Sequence, residues 1–259
     1  MTAADRPLSW LRARPRRRRG QAPSEQTPAS LDPNHHADVS GGWLRPAVFG
    51  AMDGLVTNIA LIAGVGGGGV SSRSIVLTGV AGLVAGAISM GLGEYTSVRT
   101  QNEQVAAEIA KERRELQRFP DAEAHELVET WTSRGLPRHL AEEVATALKR
   151  NPEEALRFHA REELGVDPDE RPSPWTAAAS SFVCFSVGAL VPLFTYLLGF
   201  DQLWLALAVG GVGLFVAGAL VARFTNRSWW GSGLRQLLLG AAAAAATYMI
   251  GSLIGVNAT

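Results

Sequence analysis

Residues 75–117 read IVLTGVAGLVAGAISMGLGEYTSVRTQNEQVAAEIAKERRELQ, and the composition changes partway along. No charge stands between Arg73 and Glu94, the glycines stop at Gly93, and no proline occurs until Pro120. Proline and glycine are the residues a helix interior tolerates least, so nothing interrupts the helix where apolar sequence gives way to polar. The stretch predicts one long rod with its first half in lipid and its second half in water. At about 100° per residue, Gln101, Gln104, Glu108, Glu112 and Glu115 fall on one stripe of the water half. Lys111, Arg113 and Arg114 lie mostly off it. A membrane helix that carries a stripe of carboxylates into one compartment points to cation handling. A plain solvated face, rich in glutamate because glutamate is a good helix former, accounts for the stripe equally well.

Charge is segregated along the rest of the chain. The 259 residues have a formal net charge of zero, yet residues 1–45 hold a basic tail, residues 99–172 most of the acid and base, and the remainder almost none. Long apolar stretches with few charges are membrane spans, so the chain is expected to be an all-α integral membrane protein. The single cysteine, Cys184, lies in an apolar stretch, which excludes a disulfide framework. The tail carries Arg12, Arg14 and Arg16 to Arg19 with no apolar run of signal-peptide length directly after them. It reads as a cytoplasmic anchor on anionic headgroups, and no nucleic-acid partner is expected. His35 and His36 sit in a polar linker, where solvation is the ordinary fate of adjacent histidines.

Five spans can be counted. The first runs from about Trp43 to Val65 and ends in GGGGVSSRS, and the second is the apolar half of the rod. The third is WTAAASSFVCFSVGALVPLFTYLLGF, with Pro192 as a kink, the fourth runs from about Leu203 to Val221, and the fifth from about Leu234 to Val256. Between the second and third lies a polar middle that reads as helices: Asp121 as the cap of one reaching Ser133, another ending near Arg150, and a third from Asn151-Pro152 to Gly165. The expected organisation is a basic tail over 1–42, spans one and two over 43–98, a small helical domain over 99–172 and spans three to five over 173–259. The tail, the polar domain, Arg223 and Arg227 share one side, whereas Arg73, Asp201 and the C-terminus share the other. The positive-inside rule puts the N-terminus and polar domain in the cytoplasm and the C-terminus outside, in a multi-pass protein of the cell membrane. Arg223, Arg227, Trp229 and Trp230 make an interfacial turn.

Three constellations could carry chemistry. Asp53 stands near the middle of the first span, where a carboxylate costs about 3 kcal/mol on insertion scales and ordinarily faces a bundle interior or a water path. Gly50 and Gly54 flank it at a spacing that lets another helix approach closely. The alternative for Asp53 is a hydrogen bond to Thr57 or Asn58. Met90 and Glu94 lie one turn apart on the second span. A thioether beside a carboxylate suits a first-row transition metal better than calcium or magnesium, although a core methionine and a headgroup-seeking glutamate would look the same. In the polar domain His159 and Glu163 are an i,i+4 pair that can share a metal, a pattern also common on plain surface helices.

On these residues the sequence resembles the vacuolar iron transporter family, in its bacterial branch. The match rests on GGWLRPAVFGAMDGLVTN, AGAISMGLGEYTSVRTQ and EEALRFHAREELGVDP and covers about residues 36–256. The resemblance implies a five-span homodimer that carries ferrous iron, with manganese or other divalent ions, out of the cytosol in exchange for protons. Fe2+ or Mn2+ is then the cargo, and no cofactor is held permanently. It also implies that Asp53 and Met90 line the path, that Glu94 joins them, and that a cytoplasmic helical domain binds metal through clustered glutamates. Here Gln101 and Gln104 occupy two stations of the stripe, and histidine stands where methionine-type ligands would be expected. The implied acidic cluster is therefore Glu108, Glu112, Glu115 and Glu163 with His159.

Two other classes can be weighed. A membrane-bound di-iron carboxylate enzyme usually needs Glu-x-x-His pairs on core helices, and none of His35, His36, His125, His139 and His159 has glutamate three residues before it. A membrane-anchored metal-binding or regulatory protein explains the polar helices but gives no reason for Asp53 in mid-span.

Overall fold

The computed structural model describes residues 42–225 and 227–257. The arginine-rich tail, His35 and His36 lie outside the described residues. The described chain is helical from end to end: α1 Leu44–Gly67, α2 Ser72–Arg118, α3 Pro120–Ser133, α4 Arg138–Lys149, α5 Pro152–Glu163, α6 Pro174–Leu197, α7 Leu203–Thr225 and α8 Trp229–Asn257. Five of these, α1, α2, α6, α7 and α8, are long and apolar enough to cross a membrane. The short helices α3 to α5 lie between the second and third of them.

The rod is unbroken. Helix α2 runs for 47 residues, which at 1.5 Å per residue is about 70 Å. It starts at Ser72 rather than Ile75 because the Ser71 side chain accepts a hydrogen bond from the Ser74 amide at 3.3 Å and caps the first turn. It stops at Pro120, which opens α3 in the first-turn position that proline favours. Asp121, the expected cap of α3, lies inside its first turn and pairs instead with Lys149. Gly135 and Gly165 take φ values of 98° and 66° between and after the polar helices, a left-handed backbone that suits glycine.

In the apolar bundle α1 is central and packs on α2, α6, α7 and α8. Successive spans alternate in direction, so the start of α1, the polar half of α2, the start of α6, the end of α7 and the start of α8 share one end of the bundle. Small residues allow the closest approaches. A Cβ on Gly50 or Gly54 would come within 2.5 Å of the Ser181 carbonyl or 2.2 Å of the Phe185 carbonyl, so α1 lies almost backbone to backbone on α6. On its other side α1 meets α8, where a Cβ on Gly251 would fall 1.8 Å from the Gly64 carbonyl oxygen. The outer surface of α8 is apolar and almost wholly uncovered.

The polar domain has its own small core. Leu127 and Val128 of α3 and Ala141 and Ala145 of α4 are buried against Trp131 and Phe158, whose rings meet edge to face at 4.8 Å. Charged pairs surround it: Arg113 donates to both Glu153 oxygens at 2.7 and 3.2 Å, and Arg138 pairs with Glu129 and Glu142. Because these pairs are exposed they add little stability each. They do fix where the cations go.

Candidate metal centre

The buried stripe of the polar half of α2 is Val105, Ile109, Glu112 and Leu116, with Ile109 and Glu112 the most enclosed. One station of an apolar seam is thus a carboxylate. The same substitution occurs on the two helices packed around it. Helix α3 buries Leu127 and places Glu123 one turn earlier, and α5 buries Ala155, Leu156 and Ala160 with His159 between them. These choices bring together Glu112, Glu123, His159 and Glu163, one ligand atom from each lying within 4.8 Å of all the others.

His159 is the hub. Its Nδ1 stands 2.8 Å from Glu163 Oε1, 3.2 Å from Glu112 Oε1 and 3.8 Å from Glu123 Oε2. His159 is 2% exposed and Glu112 7%, so the group sits at the bottom of the domain with Glu163 towards solvent. One imidazole hydrogen cannot serve three carboxylates. Glu112 Oε1 is left buried with no hydrogen-bond partner, an arrangement that is costly without a further positive charge. Burial raises the Glu112 carboxyl to about 7, with the Glu163, Glu123 and Glu115 charges adding and His159 opposing. Burial likewise raises Glu123, against the opposing pull of His159. Nearby arginines do not relieve the crowding, because Arg113 is committed to Glu153 and Arg161 to Asp167.

One imidazole nitrogen and several carboxylate oxygens are a donor set for a divalent first-row ion. Ligand atoms about 2.1 Å from such an ion stand roughly 3 to 3.5 Å apart, close to the spacing found here. Of the residues expected from the sequence, Glu112, His159 and Glu163 converge. Glu108, one turn before Glu112 on the same stripe, is exposed and stands outside the group, and Glu115 is half-buried without joining it. Glu123 is the member that the stripe on α2 missed.

The membrane residues are arranged differently. Asp53 is half-buried and accepts a hydrogen bond from Thr57 Oγ1 at 3.3 Å. Met90 packs against Ala87, Phe185 and Ala189. Glu94 is 9% exposed and makes no hydrogen bond or ion pair among the described residues. It lies on the turn of α2 that packs on the start of α6, where Tyr95 and Trp175 meet at 4.8 Å. No hydrogen bond, ion pair or shared core cluster joins Asp53 to Met90 or Glu94 among the described residues. Thr57 lines an apolar groove of about 800 Å³ between α1 and α8, with Val56, Ala60, Leu61, Ile250 and Ile254 among its walls.

Known proteins resemble most of the chain. The family model described as the VIT family matches residues 44–252. The vacuolar iron transporter 1 of Arabidopsis thaliana is 31% identical over 230 residues, covering 85% of this chain and 91% of the relative. That of Oryza sativa subsp. japonica is 34% identical over 229 residues, covering 85% and 90%. The vacuolar iron transporter of Acanthamoeba castellanii is 34% identical over 232 residues, covering 86% and 84%. With five apolar helices, an acidic helical insertion after the second, and likeness over nearly the full length of both partners, the chain belongs to the VIT family.

Proposed function

We propose that this protein transports ferrous iron, and manganese with it, out of the cytosol in exchange for protons. One observation carries the reading. A single uninterrupted helix, Ser72–Arg118, holds Met90 and Glu94 in its apolar half and Glu112 of the four-residue group in its polar half. A site that gathers divalent ions is thereby built on the same rigid element as the candidate path. The names of the relatives, vacuolar iron transporters, support iron as the cargo.

In this reading Glu112, Glu123, His159 and Glu163 take Fe2+ from the cytosol, the aqueous face of the polar domain. Charge supports that orientation. Arg45, Arg223, Arg227 and Arg235 lie at the bundle end that carries the polar domain and Arg73 at the other, so the positive-inside rule makes the first end cytoplasmic. The protein is then a multi-pass component of the cell membrane, with its C-terminus outside. Asp53, Met90 and Glu94 supply the charge and the soft donor that a divalent ion needs in lipid. The open groove lined by Thr57, one turn from Asp53, and the uncovered face of α8 support a homodimer, in which two copies of Asp53 and Met90 would flank one axis. Carboxylates that release an ion can take up protons, which gives one site both roles in alternation.

The test is transport in proteoliposomes with an iron-sensing dye and a pH dye inside. With the polar domain facing out, Fe2+ should enter the lumen while the lumen turns alkaline. Iron entry with no proton movement would remove the antiport, and absence of iron entry would remove the whole reading.

A further inference from the structure

Asn58 is 1% exposed in the apolar bundle, just over one turn beyond Asp53 on α1. Its Nδ2 donates to the Ala189 carbonyl of α6 at 2.5 Å. Its Oδ1 is buried with no partner. The nearest part of α2 is bare backbone: a Cβ on Gly79 or Gly82 would stand 3.5 or 3.8 Å from that oxygen. A polar side chain this deep, half satisfied, needs a reason.

The reason lies in α6. Pro192 is inside that helix and has no N–H, so the turn before it is short of one backbone donor and its ring crowds the carbonyl one turn earlier. The carbonyl left without its helix donor is that of Gly188, and Asn58 puts an amide donor from another helix onto the next carbonyl of that weakened turn, Ala189. The contact fixes more than α6. At about 100° per residue, Asn58 and Asp53 point about 140° apart around α1, so a clamp on Asn58 sets the direction in which Asp53 faces. Thr57, beside Asn58, donates to Asp53 and lines the α1–α8 groove. Two hydrogen bonds, Asn58 to Ala189 and Thr57 to Asp53, made by adjacent residues of α1, tie the proline turn of α6 to the orientation of the carboxylate.

We infer that Asn58 is a positioning residue for transport: its amide clamps α1 to the proline-weakened turn of α6 and so fixes the direction in which Asp53 faces, without itself binding the ion. This rests on Asp53 lying in the ion path.

The experiment compares Asn58→Leu, Asp53→Asn and the unaltered protein, all full length in proteoliposomes, with Fe2+ as the probe and the thermal midpoint measured in detergent. Asn58→Leu removes the donor together with the unpartnered oxygen, so the fold should be retained. The expected result is an unchanged or higher midpoint, an unchanged half-saturating iron concentration, and a maximal rate lowered about tenfold or more, as for other residues that orient a metal-handling group. A normal maximal rate per folded transporter overturns the proposal. So does a raised half-saturating concentration, which would make Asn58 a ligand. If the leucine variant is not recovered folded, Asn58→Ala leaves room beside Gly79 and Gly82 and is read by the same criteria. If Asp53→Asn transports normally, the path reading itself fails. If Asp53→Asn is inactive and Asn58→Leu is normal, the clamp alone fails.

Discussion

The two halves of α2 handle charge in opposite ways. In the polar half, Glu112 meets Glu123, His159 and Glu163 from two other helices, and the ligand atoms converge within one chain. In the apolar half, Glu94, Met90 and the neighbouring Asp53 stay apart, each with few polar contacts or none. A site in the polar domain can be finished by local helices because its buried carboxyls can hold protons when no ion is present. A finished cage of charges in lipid would bind too tightly to release, and conduction requires binding weak enough to leave. The contrast fits the proposed division in which the polar group holds ions and the membrane residues pass them.

The largest expected effect comes from the membrane half. Asp53→Asn keeps size and removes charge, so flux should fall by about a hundredfold, the upper range for changes at metal-handling groups, while the thermal midpoint stays put. Flux measured on purified, correctly folded variant decides it.

Next is the polar group. Glu112→Gln with Glu123→Gln should weaken Fe2+ or Mn2+ binding about a hundredfold, within the range over which ligand charge count tunes divalent sites. Without metal this variant should be as stable as the parent or more so, because two crowded carboxylates, one buried and one partly buried, are gone. Anaerobic titration calorimetry and a melting curve on the full chain provide both readings. Equal affinity in the variant would leave the four residues a structural feature and sharpen the contrast in the other direction.

Acidity gives a third, smaller effect. Glu112 titrates near 7 in the fold, against 4.5 for the ordinary carboxyl. Between those values the folded protein binds more protons than the unfolded one, so metal-free stability should fall as pH rises through that window. Metal affinity should run the other way, rising towards and through neutrality as the ion displaces the Glu112 proton. Glu112→Gln should flatten both trends, and a parent whose metal-free stability climbs over the same window would contradict the burial of Glu112.

The smallest effect is at Glu108. It shares the glutamate stripe yet is exposed and stands outside the group, so Glu108→Gln should change stability by no more than about 0.5 kcal/mol and leave metal affinity unmoved.

That contrast between Glu108 and Glu112 also measures how far the residues could be read without the fold. The spans were legible because an apolar run bounded by glycine, proline or arginine has one physical solution in lipid, and the rod because nothing breaks a helix between Ser72 and Pro120. His159 and Glu163 were legible as neighbours on one helix. Glu123 was not, since it reaches the group from beyond the Pro120 break and a stripe drawn on α2 cannot see across a turn. A different signal was present. Glu112 interrupts the apolar seam Val105, Ile109, Leu116, and Glu123 sits one turn before buried Leu127. A carboxylate in a seam position marks a site more sharply than a row of carboxylates on an open face. Asn58 carried no such mark, because its meaning depends on Pro192 in a helix more than a hundred residues away.

The most direct test of the division between holding and passing is the dependence of Fe2+ flux on iron concentration, measured in proteoliposomes for the parent, Asp53→Asn and the Glu112→Gln, Glu123→Gln pair. Asp53→Asn should lose the maximal rate at every iron concentration. The paired variant should reach the parental maximal rate but need more iron to do so. Parental flux in Asp53→Asn, or a maximal rate abolished by the polar-domain pair alone, would contradict that division.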